Sequence, residues 1–394
     1  MKGQWDDRPL LSCGTRIRYD TGLAEVLEAS SGNVCVLMDR LQRPPDRIYV
    51  RVNTLKIRPE DYQSLARDHG FWLERDEELG EALWAPVKGP RSLKRLDKTV
   101  VADKAAAESV MTGSDLFAPG VVYAKGVERG DSVSIVSPNG VHVGNGVAVM
   151  SWREIASIGV GVAVRVYESL YEGPKISELP GLKEGLVYAQ SLPAMYVAHV
   201  LDPRPGETIV DMTAAPGGKI THIAQIVRGN ARLIAIDRRG RVDKLVSNLK
   251  RLGVSEHVSV YAIDSRRASA ELPWLRDRVD RVIIDPPCTD IGVIPKVYDR
   301  KTLRDAVAMH RYQVQFVREA HRLLKRGGVL VYSTCTLTSL ENEAVILRAL
   351  DMGFELDEAV DVGKRYRTDM GLRFNPVRDG TPGFFVSYRL VKKR

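Results

Sequence analysis

Glu207-Thr-Ile-Val-Asp211-Met-Thr213-Ala-Ala-Pro-Gly-Gly-Lys219 joins a short apolar run to a Pro-Gly-Gly turn and a lysine. Residues 208–212 read as a short buried strand. Residues 214–218 are small or ring-closed and turn the backbone tightly, and a helical pattern resumes over 220–227. Strand, glycine turn and helix start in that order bring main chain close to a ligand. The helix N-terminus offers unpaired N–H groups, and Asp211 at the strand's end offers a carboxylate for an ammonium or hydroxyl group. This suits a nucleotide-like ligand with an amino-acid tail. The loop follows neither G-x-G-x-x-G nor G-x-x-x-x-G-K-[ST], so a dinucleotide or a triphosphate is not the first expectation.

Outward from this loop, from about residue 173, strands and helices alternate. The apolar runs 209–211, 233–237, 258–264, 281–285 and 329–333 end on Asp in all but the last, and 220–227, 241–252 and 310–325 read as helices, the last closed by Gly327-Gly328. The pattern predicts a doubly wound, Rossmann-like α/β sheet with its ligand outside the carboxyl ends of the strands. Asp237 is placed to accept both hydroxyls of a ribose, and Asp264 to reach an adenine's amino edge. With Asp211 they describe a pocket for S-adenosylmethionine.

The chain has four cysteines. They are too few and too scattered for a disulfide framework, and none forms Cys-x-x-Cys, so no metal site is expected. Cys13 and Cys35 lie far upstream. Cys288, in Asp285-Pro-Pro-Cys288, and Cys335, in Tyr332-Ser-Thr-Cys335-Thr, both fall just beyond strand ends on the ligand side. A lone cysteine is usually a small buried hydrophobe; two at neighbouring active-edge positions point to chemistry. Cytosine C5 is a poor nucleophile. A thiolate adding at C6 makes the ring an enamine that can take a methyl group, after which a base removes the C5 proton and the thiol leaves. A carboxylate near N3 and the 4-amino group lowers the barrier to addition.

Asp-x-x-Ala-Ala-Pro-Gly-Gly-Lys, Asp-x-Pro-Cys and Ser-Thr-Cys together resemble the Nop/Sun (RsmB-type) family of RNA 5-methylcytosine methyltransferases, over about residues 185–390. The segment Gly185-Leu-Val-Tyr-Ala-Gln-Ser-Leu-Pro193 is similar too. The resemblance implies that Cys335 is the nucleophile and Cys288 assists release of the adduct. It also implies that Asp285 and Lys219 contact the target base, while Thr213, Ala214, Ala215, Pro216, Gly217, Gly218, Lys219, Asp237 and Asp264 hold the cofactor, with Asp211 and Asp285 alongside. Thr213 replaces the family's usual Cys, and Pro287 sits in a Pro-Pro doublet where Ala-Pro is common; neither change removes a group the mechanism needs.

Ahead of this region, residues 99–171 hold short alternating segments divided by turn signals such as Pro138-Asn-Gly140 and Gly144-Asn-Gly146, which predicts a compact closed β-barrel. Val100-Val-Ala-Asp103, Gly113-Ser-Asp-Leu-Phe-Ala-Pro-Gly-Val121, Gly130-Asp-Ser-Val133 and Gly159-Val-Gly-Val-Ala-Val164 are similar to a PUA domain, which implies binding of structured RNA. Phe117 is the candidate RNA contact, offering an aromatic face to a base or ribose. A PUA domain before such a catalytic domain resembles the branch that methylates cytosine 72 of the tRNA acceptor stem while the PUA domain holds the CCA end.

The expected domains are 1–95, a small α+β (RRM-like) region; 96–172, the PUA domain; and 173–394, the methyltransferase domain. Within the first, 16–19 and 34–38 are candidate strands, and 48–52, 60–69 and 71–73 read as strand, helix and strand carrying exposed Arg and Lys. Lys88, Arg91, Lys94, Arg95 and Lys98 form a connector that is a solvated linker or a phosphate-contacting strip. Thr338-Ser-Leu-Glu341 resembles a capping box, 383–392 reads as a last strand, and Arg365, Arg367, Arg373 and Arg378 are candidates for an RNA path.

A net charge of +8 favours a polyanionic partner. No segment is long and apolar enough to cross a membrane, and the opening residues lack the apolar run of a signal peptide, so the expected compartment is cytoplasmic and the expected state a monomer. The competing readings are an exocyclic amino methyltransferase, which shares Asp-Pro-Pro; a catalytically idle RNA-binding protein; and a 5-methylcytosine methyltransferase of ribosomal RNA.

Overall fold

A computed structural model describes residues 8–393; Met1 to Asp7, most of the opening stretch, lie outside them. Five parallel strands form the centre: β1 (Thr208–Asp211), β2 (Arg232–Asp237), β3 (Val258–Ala262), β4 (Val279–Ile284) and β5 (Leu324–Thr334). They pair in the order β3-β2-β1-β4-β5, so the strand order reverses between β1 and β4, where a doubly wound sheet opens its ligand crevice. β1, β2, the end of β4 and the second half of β5 are buried and read as continuous apolar runs, whereas the edge strand β3 is only partly covered. Helices α1 (Gly218–Ile226), α2 (Val242–Leu252) and α3 (Leu303–Leu323) lie among the connections.

Helix α3 starts earlier than its apolar pattern suggests, because Thr302 and Asp305 form a capping box at its N-terminus. It also ends without the glycine pair: Leu324 already opens β5, and Gly327 and Gly328 lie within that strand. The final segment is two strands, Phe384–Ser387 and Arg389–Lys392, which pair with the far and near parts of β5 on either side of Tyr388.

The barrel follows the order Leu116–Phe117, Val162–Ser169, His142–Ala148, Ser132–Val136, Lys98–Ala102 and Val121–Tyr123 around a core that includes Val100, Ile135, Val143 and Val164. The two end strands are joined in sequence by the 3-10 turn Ala118–Gly120, but no ladder pairs them among the described residues. The sheet curls round without closing its hydrogen bonds.

The N-terminal region differs most from its sequence reading. Residues 34–38 are not a strand: Asn33 caps the N–H groups of Cys35 and Val36 at 3.1 Å, and the helix Val34–Leu41 follows, with Leu37, Met38 and Leu41 buried on one face. That helix brings Cys35 to Cys13, and the two form a disulfide with a Cα–Cα distance of 5.3 Å, a single bridge rather than a framework. Residues 71–73 are not a strand either: the strand Ala82–Pro86 pairs on one side with Arg47–Val52, and on the other it meets only Glu74 and Arg75. The resulting antiparallel sheet takes its outer strand, Val187–Ala189, from beyond the barrel.

Both small regions brace the crevice. Ile17, Leu23 and Leu27 share a core with Ile291 and Ile294, which follow Cys288, and with Leu337, which follows Cys335. Val297 lies in the barrel's core, and its main chain bonds Asn139 and Glu108 at 3.1 Å. Arg51 is not an exposed cation. It is fully buried, bonds Gln190 and Thr221, and donates to the Gly218 carbonyl at 2.5 Å, tying the antiparallel sheet to the glycine turn. Glu81 adds a second tie by accepting from His199 and His222 Nε2 at 2.6 and 2.9 Å.

Candidate active site

The glycine turn runs from β1 into α1 as the sequence predicts. Gly217 has a φ of +111°, a conformation in which a side chain would be strained, and a Cβ there would also press on Leu245 at 3.2 Å. Asp211, Thr213, Ala214, Ala215, Pro216, Gly217, Gly218 and Lys219 thus line one continuous loop and helix start. Asp237, at the end of β2, accepts the Ala215 N–H at 2.8 Å and the Arg238 N–H at 2.8 Å, so one carboxylate sets the shape of the turn.

Asp211 is 1% exposed. Its Oδ1 accepts the Thr213 N–H at 3.0 Å, whereas Oδ2 is buried without a partner. Burial, only partly offset by the Thr213 N–H and Lys219, pushes its carboxyl up to about 7. A buried carboxylate oxygen with nothing to accept is what an arriving ammonium would satisfy, so these residues fit the amino-acid end of S-adenosylmethionine. Asp264 is placed less openly. It stands two residues beyond β3, and Arg266 grips its carboxylate and stacks on Tyr312 at 4.7 Å, so this oxygen pair is already engaged.

Across the switch point, Asp285 follows β4, and Thr213 Oγ1 accepts its N–H at 2.7 Å. Its carboxylate pairs with Lys219 Nζ. Burial works against the Lys219 ammonium, but Asp285 and Asp211 outweigh it and hold the pKa above its ordinary value. The two thiols meet here, Cys288 Sγ standing 3.3 Å from Cys335 Sγ. Thiols on the loops after β4 and β5, beside an ion pair from the glycine turn, can act on one planar ring.

Three residues that the sequence reading did not assign to the site complete this end. Asp290 Oδ1 accepts from both thiols, at 3.0 Å from Cys335 Sγ and 3.2 Å from Cys288 Sγ. Burial and the neighbouring carboxylates push both thiols up, although the Cys288 hydrogen bond pulls Cys335 down; for Cys288 the bond to Cys335 is the largest cause of the rise. Glu341 is fully buried. Its carboxylate accepts the Thr289 N–H at 2.8 Å, Thr289 Oγ1 at 2.6 Å, Thr338 Oγ1 at 2.8 Å, Gln313 Nε2 at 3.2 Å and Thr336 Oγ1 at 3.3 Å. Thr289 and Thr336 are the residues next to the two cysteines, so one carboxylate holds both thiol loops. Half of the expected capping box therefore exists, but its glutamate serves the site and the helix begins at Glu343. Gly292 is the third: its N–H donates to the Cys335 carbonyl at 2.9 Å, and an added Cβ would meet the Gly383 and Cys335 carbonyls at 2.2 and 2.8 Å. Asp290 left no signal in the sequence; the signal for Glu341 was its spacing from Thr338.

Among the described residues two clusters offer ligand atoms close enough for a metal ion, Glu81 with His199 and His222, and Cys288 with Asp290 and Cys335. Internal hydrogen bonds already account for both. Phe117 sits on the barrel at 49% exposure, well apart in sequence from the thiols. Arg373 is buried against Glu343 and the Leu337 carbonyl, so it lines no RNA path. In the connector, Arg91 and Lys98 are paired with Glu172 and Asp131.

The family described as 16S rRNA methyltransferase RsmB/F matches residues 198–389, and the PUA domain matches 98–170. The tRNA (cytosine(72)-C(5))-methyltransferase of Pyrococcus horikoshii is 40% identical over 361 residues, covering 89% of this chain and 91% of that one. The corresponding enzyme of Mus musculus is 33% identical over 353 residues, covering 80% of this chain and 73% of that one. A crystal structure of NSun6 from Pyrococcus horikoshii with SFG, an S-adenosylmethionine analogue, superposes with a TM-score of 0.84 at 37% identity, over 95% of this chain and 99% of that one.

Proposed function

Because the chain belongs to the RsmB/F (Nop/Sun) methyltransferase family in its PUA-containing form, we propose that it methylates C5 of cytosine 72 in the tRNA acceptor stem, with the PUA domain gripping the CCA end. S-adenosylmethionine, when bound, supplies the electrophilic methyl group. The observation that carries the reading is the pair of thiols 3.3 Å apart on adjoining strand-end loops, beside the Lys219–Asp285 ion pair. An exocyclic amino methyltransferase has no use for Cys335.

In this reading Cys335 Sγ adds to cytosine C6. Asp285 and Lys219 hold the base by its N3 and 4-amino edge, and Cys288 assists expulsion of Cys335 once C5 has been methylated. The turn from Asp211 to Lys219 holds the cofactor's amino-acid end, and Asp237 its ribose. Asp264 reaches the adenine only where Arg266 yields one of its carboxylate oxygens. The enzyme works as a monomer and needs no metal. The family is named for ribosomal RNA, but the relatives of Pyrococcus horikoshii and Mus musculus, which cover 89% and 80% of this chain, are named for tRNA.

Transfer of radiolabelled methyl to unmodified bulk tRNA, to CCA-trimmed tRNA and to rRNA fragments, with nucleoside analysis, tests the substrate. We expect 5-methylcytosine in intact tRNA and a loss of signal on trimming; label confined to rRNA would reverse the substrate. Cys335→Ala should abolish transfer, and Cys288→Ala should accumulate a covalent protein–RNA adduct on denaturing gels. Normal turnover by Cys335→Ala removes the nucleophile assignment.

A further inference from the structure

Thiol addition needs somewhere for the thiol proton to go, and neither cysteine is poised as a thiolate: the surroundings of both favour the protonated form. Several carboxylates surround Cys335. Asp285 is committed to Lys219, and Glu341 is saturated by five donor contacts from Thr289, Thr336, Thr338 and Gln313. Asp211 is buried at the cofactor end of the crevice. Among the described residues Asp290 is the carboxylate in direct contact with Cys335 Sγ, at 3.0 Å, and it is exposed to solvent.

The backbone that aims it is fixed. Lys296, buried at 3% exposure, donates from Nζ to the Asp290 carbonyl at 2.9 Å, and the Val293 N–H donates to the same oxygen at 3.1 Å. Ile291, the next residue, is fully buried in the N-terminal core. Asp290 itself has a φ of +56°, a left-handed conformation that costs a side chain energy and that a glycine would take freely. A cost borne at the contact between two reactive sulfurs, rather than relieved by glycine, indicates a use for the carboxylate.

We propose that Asp290 is a catalytic residue: its carboxylate takes the proton from Cys335 Sγ as that sulfur adds to cytosine C6, and passes it to solvent. This rests on the reading of Cys335 as the nucleophile. The S–H bond breaks with the proton going to Asp290 Oδ1, and the sulfur lone pair forms the S–C6 bond. The C5–C6 electron pair is thereby released to C5 for the incoming methyl group. Deprotonated again by water, Asp290 stands beside Cys288 and Cys335 as the adduct collapses.

The test uses the full chain as wild type, Asp290→Asn, Asp290→Gly and Cys335→Ala. Asp290→Gly relieves the strained φ, so its folding is secure. Two quantities are read: single-turnover methylation of intact tRNA at saturating RNA and cofactor, and the rate at which iodoacetamide alkylates Cys335 in the ligand-free protein, mapped by peptide so that Cys288 is scored apart. General-base assistance is worth roughly a hundredfold or more, so both Asp290 variants should methylate about 100-fold more slowly. Their Cys335 should alkylate as fast as wild type or faster, because an anion that opposes ionisation is gone. Methylation within about threefold of wild type overturns the proposal, as does alkylation that slows together with methylation, the mark of a merely positional role. An active Cys335→Ala strikes the nucleophile reading beneath it; a dead Cys335→Ala beside an active Asp290→Asn strikes the Asp290 proposal alone.

Discussion

The two ends of the crevice are built on opposite principles. At the β1 end, Asp211 keeps a buried oxygen without a partner. At the β4 and β5 end, Glu341 is at least as deeply buried, yet its carboxylate is surrounded by hydroxyl, amide and main-chain donors. A buried polar group that is satisfied specifies a geometry; one that is left unsatisfied costs free energy until a ligand arrives. The difference separates the part of the site that waits for a molecule from the part that holds two sulfurs in place.

Removing Glu341 should break this contrast most severely. Glu341→Ala removes the acceptor of the Thr289 N–H, of three threonine hydroxyls and of one Gln313 amide bond in a dry interior, a loss we expect to reach about 3–5 kcal/mol of unfolding free energy. Glu341→Gln keeps the volume but puts an NH₂ where donors converge, and should lose about half as much. Denaturant titration with unchanged m-value checks both. A loss below about 1 kcal/mol would mean that the two thiol loops are held by their apolar anchors, Ile291 and Leu337, rather than by the carboxylate.

Asp211→Asn should have a smaller effect, read chiefly in ligand binding. With the carboxyl lifted to about 7, Asp211 is largely protonated below that pH and must ionise to meet an ammonium. The raised native value means that its contribution to ligand-free stability is present at low pH and lost as pH rises through about 7. Cofactor affinity runs the other way and falls as pH drops below 7, by up to tenfold per unit. Lys219, Asp285 and Asp237 face the same carboxyl. Calorimetric titration with S-adenosylhomocysteine from pH 6 to 8 should show that slope in wild type. The slope should vanish in Asp211→Asn, with affinity at pH 8 lowered by about 2 kcal/mol. A flat wild-type profile would mean that Asp211 is not the group that meets the ammonium.

The two ends were not equally legible in the sequence. The β1 end is local: strand, turn and helix start are contiguous, and a strand-ending Asp announces its place through the period of its own strand, as Asp211, Asp237 and Asp285 do. Glu341 and Asp290 act across the fold, on residues 52 and 45 positions away, and no local pattern encodes such a partnership. Arg51 misled for a related reason. It lies on the strand Arg47–Val52 among residues that look half-exposed, and its burial depends on the glycine turn more than 160 residues later. The helix Val34–Leu41 was hidden by β-branched residues that favour a strand until Asn33 caps them. Asp264 marks the limit of strand-end reasoning, because placement at a carboxyl edge does not say that a neighbouring arginine already occupies the carboxylate.

The smallest effect is expected outside the crevice, on a surface that we propose meets RNA without buried polar groups. Phe117 is half exposed on the barrel. Gly161 accepts the N–H of the next residue, Ala118, and Ile158 and Val160, just before that glycine, are exposed as well. An exposed aromatic flanked by aliphatic side chains loses little by standing in water, so it can wait at low cost, and stacking on a base repays about 1 kcal/mol or somewhat more. Phe117→Ala should therefore weaken binding of intact tRNA by about five- to tenfold, leave unfolding unchanged, and leave the already weaker binding of CCA-trimmed tRNA where it was. Filter binding at fixed salt with the two RNAs separates the outcomes. Equal weakening on both RNAs would move Phe117 from the CCA end to the stem, and no weakening on either would remove it from the RNA surface while leaving the chemistry of the crevice intact.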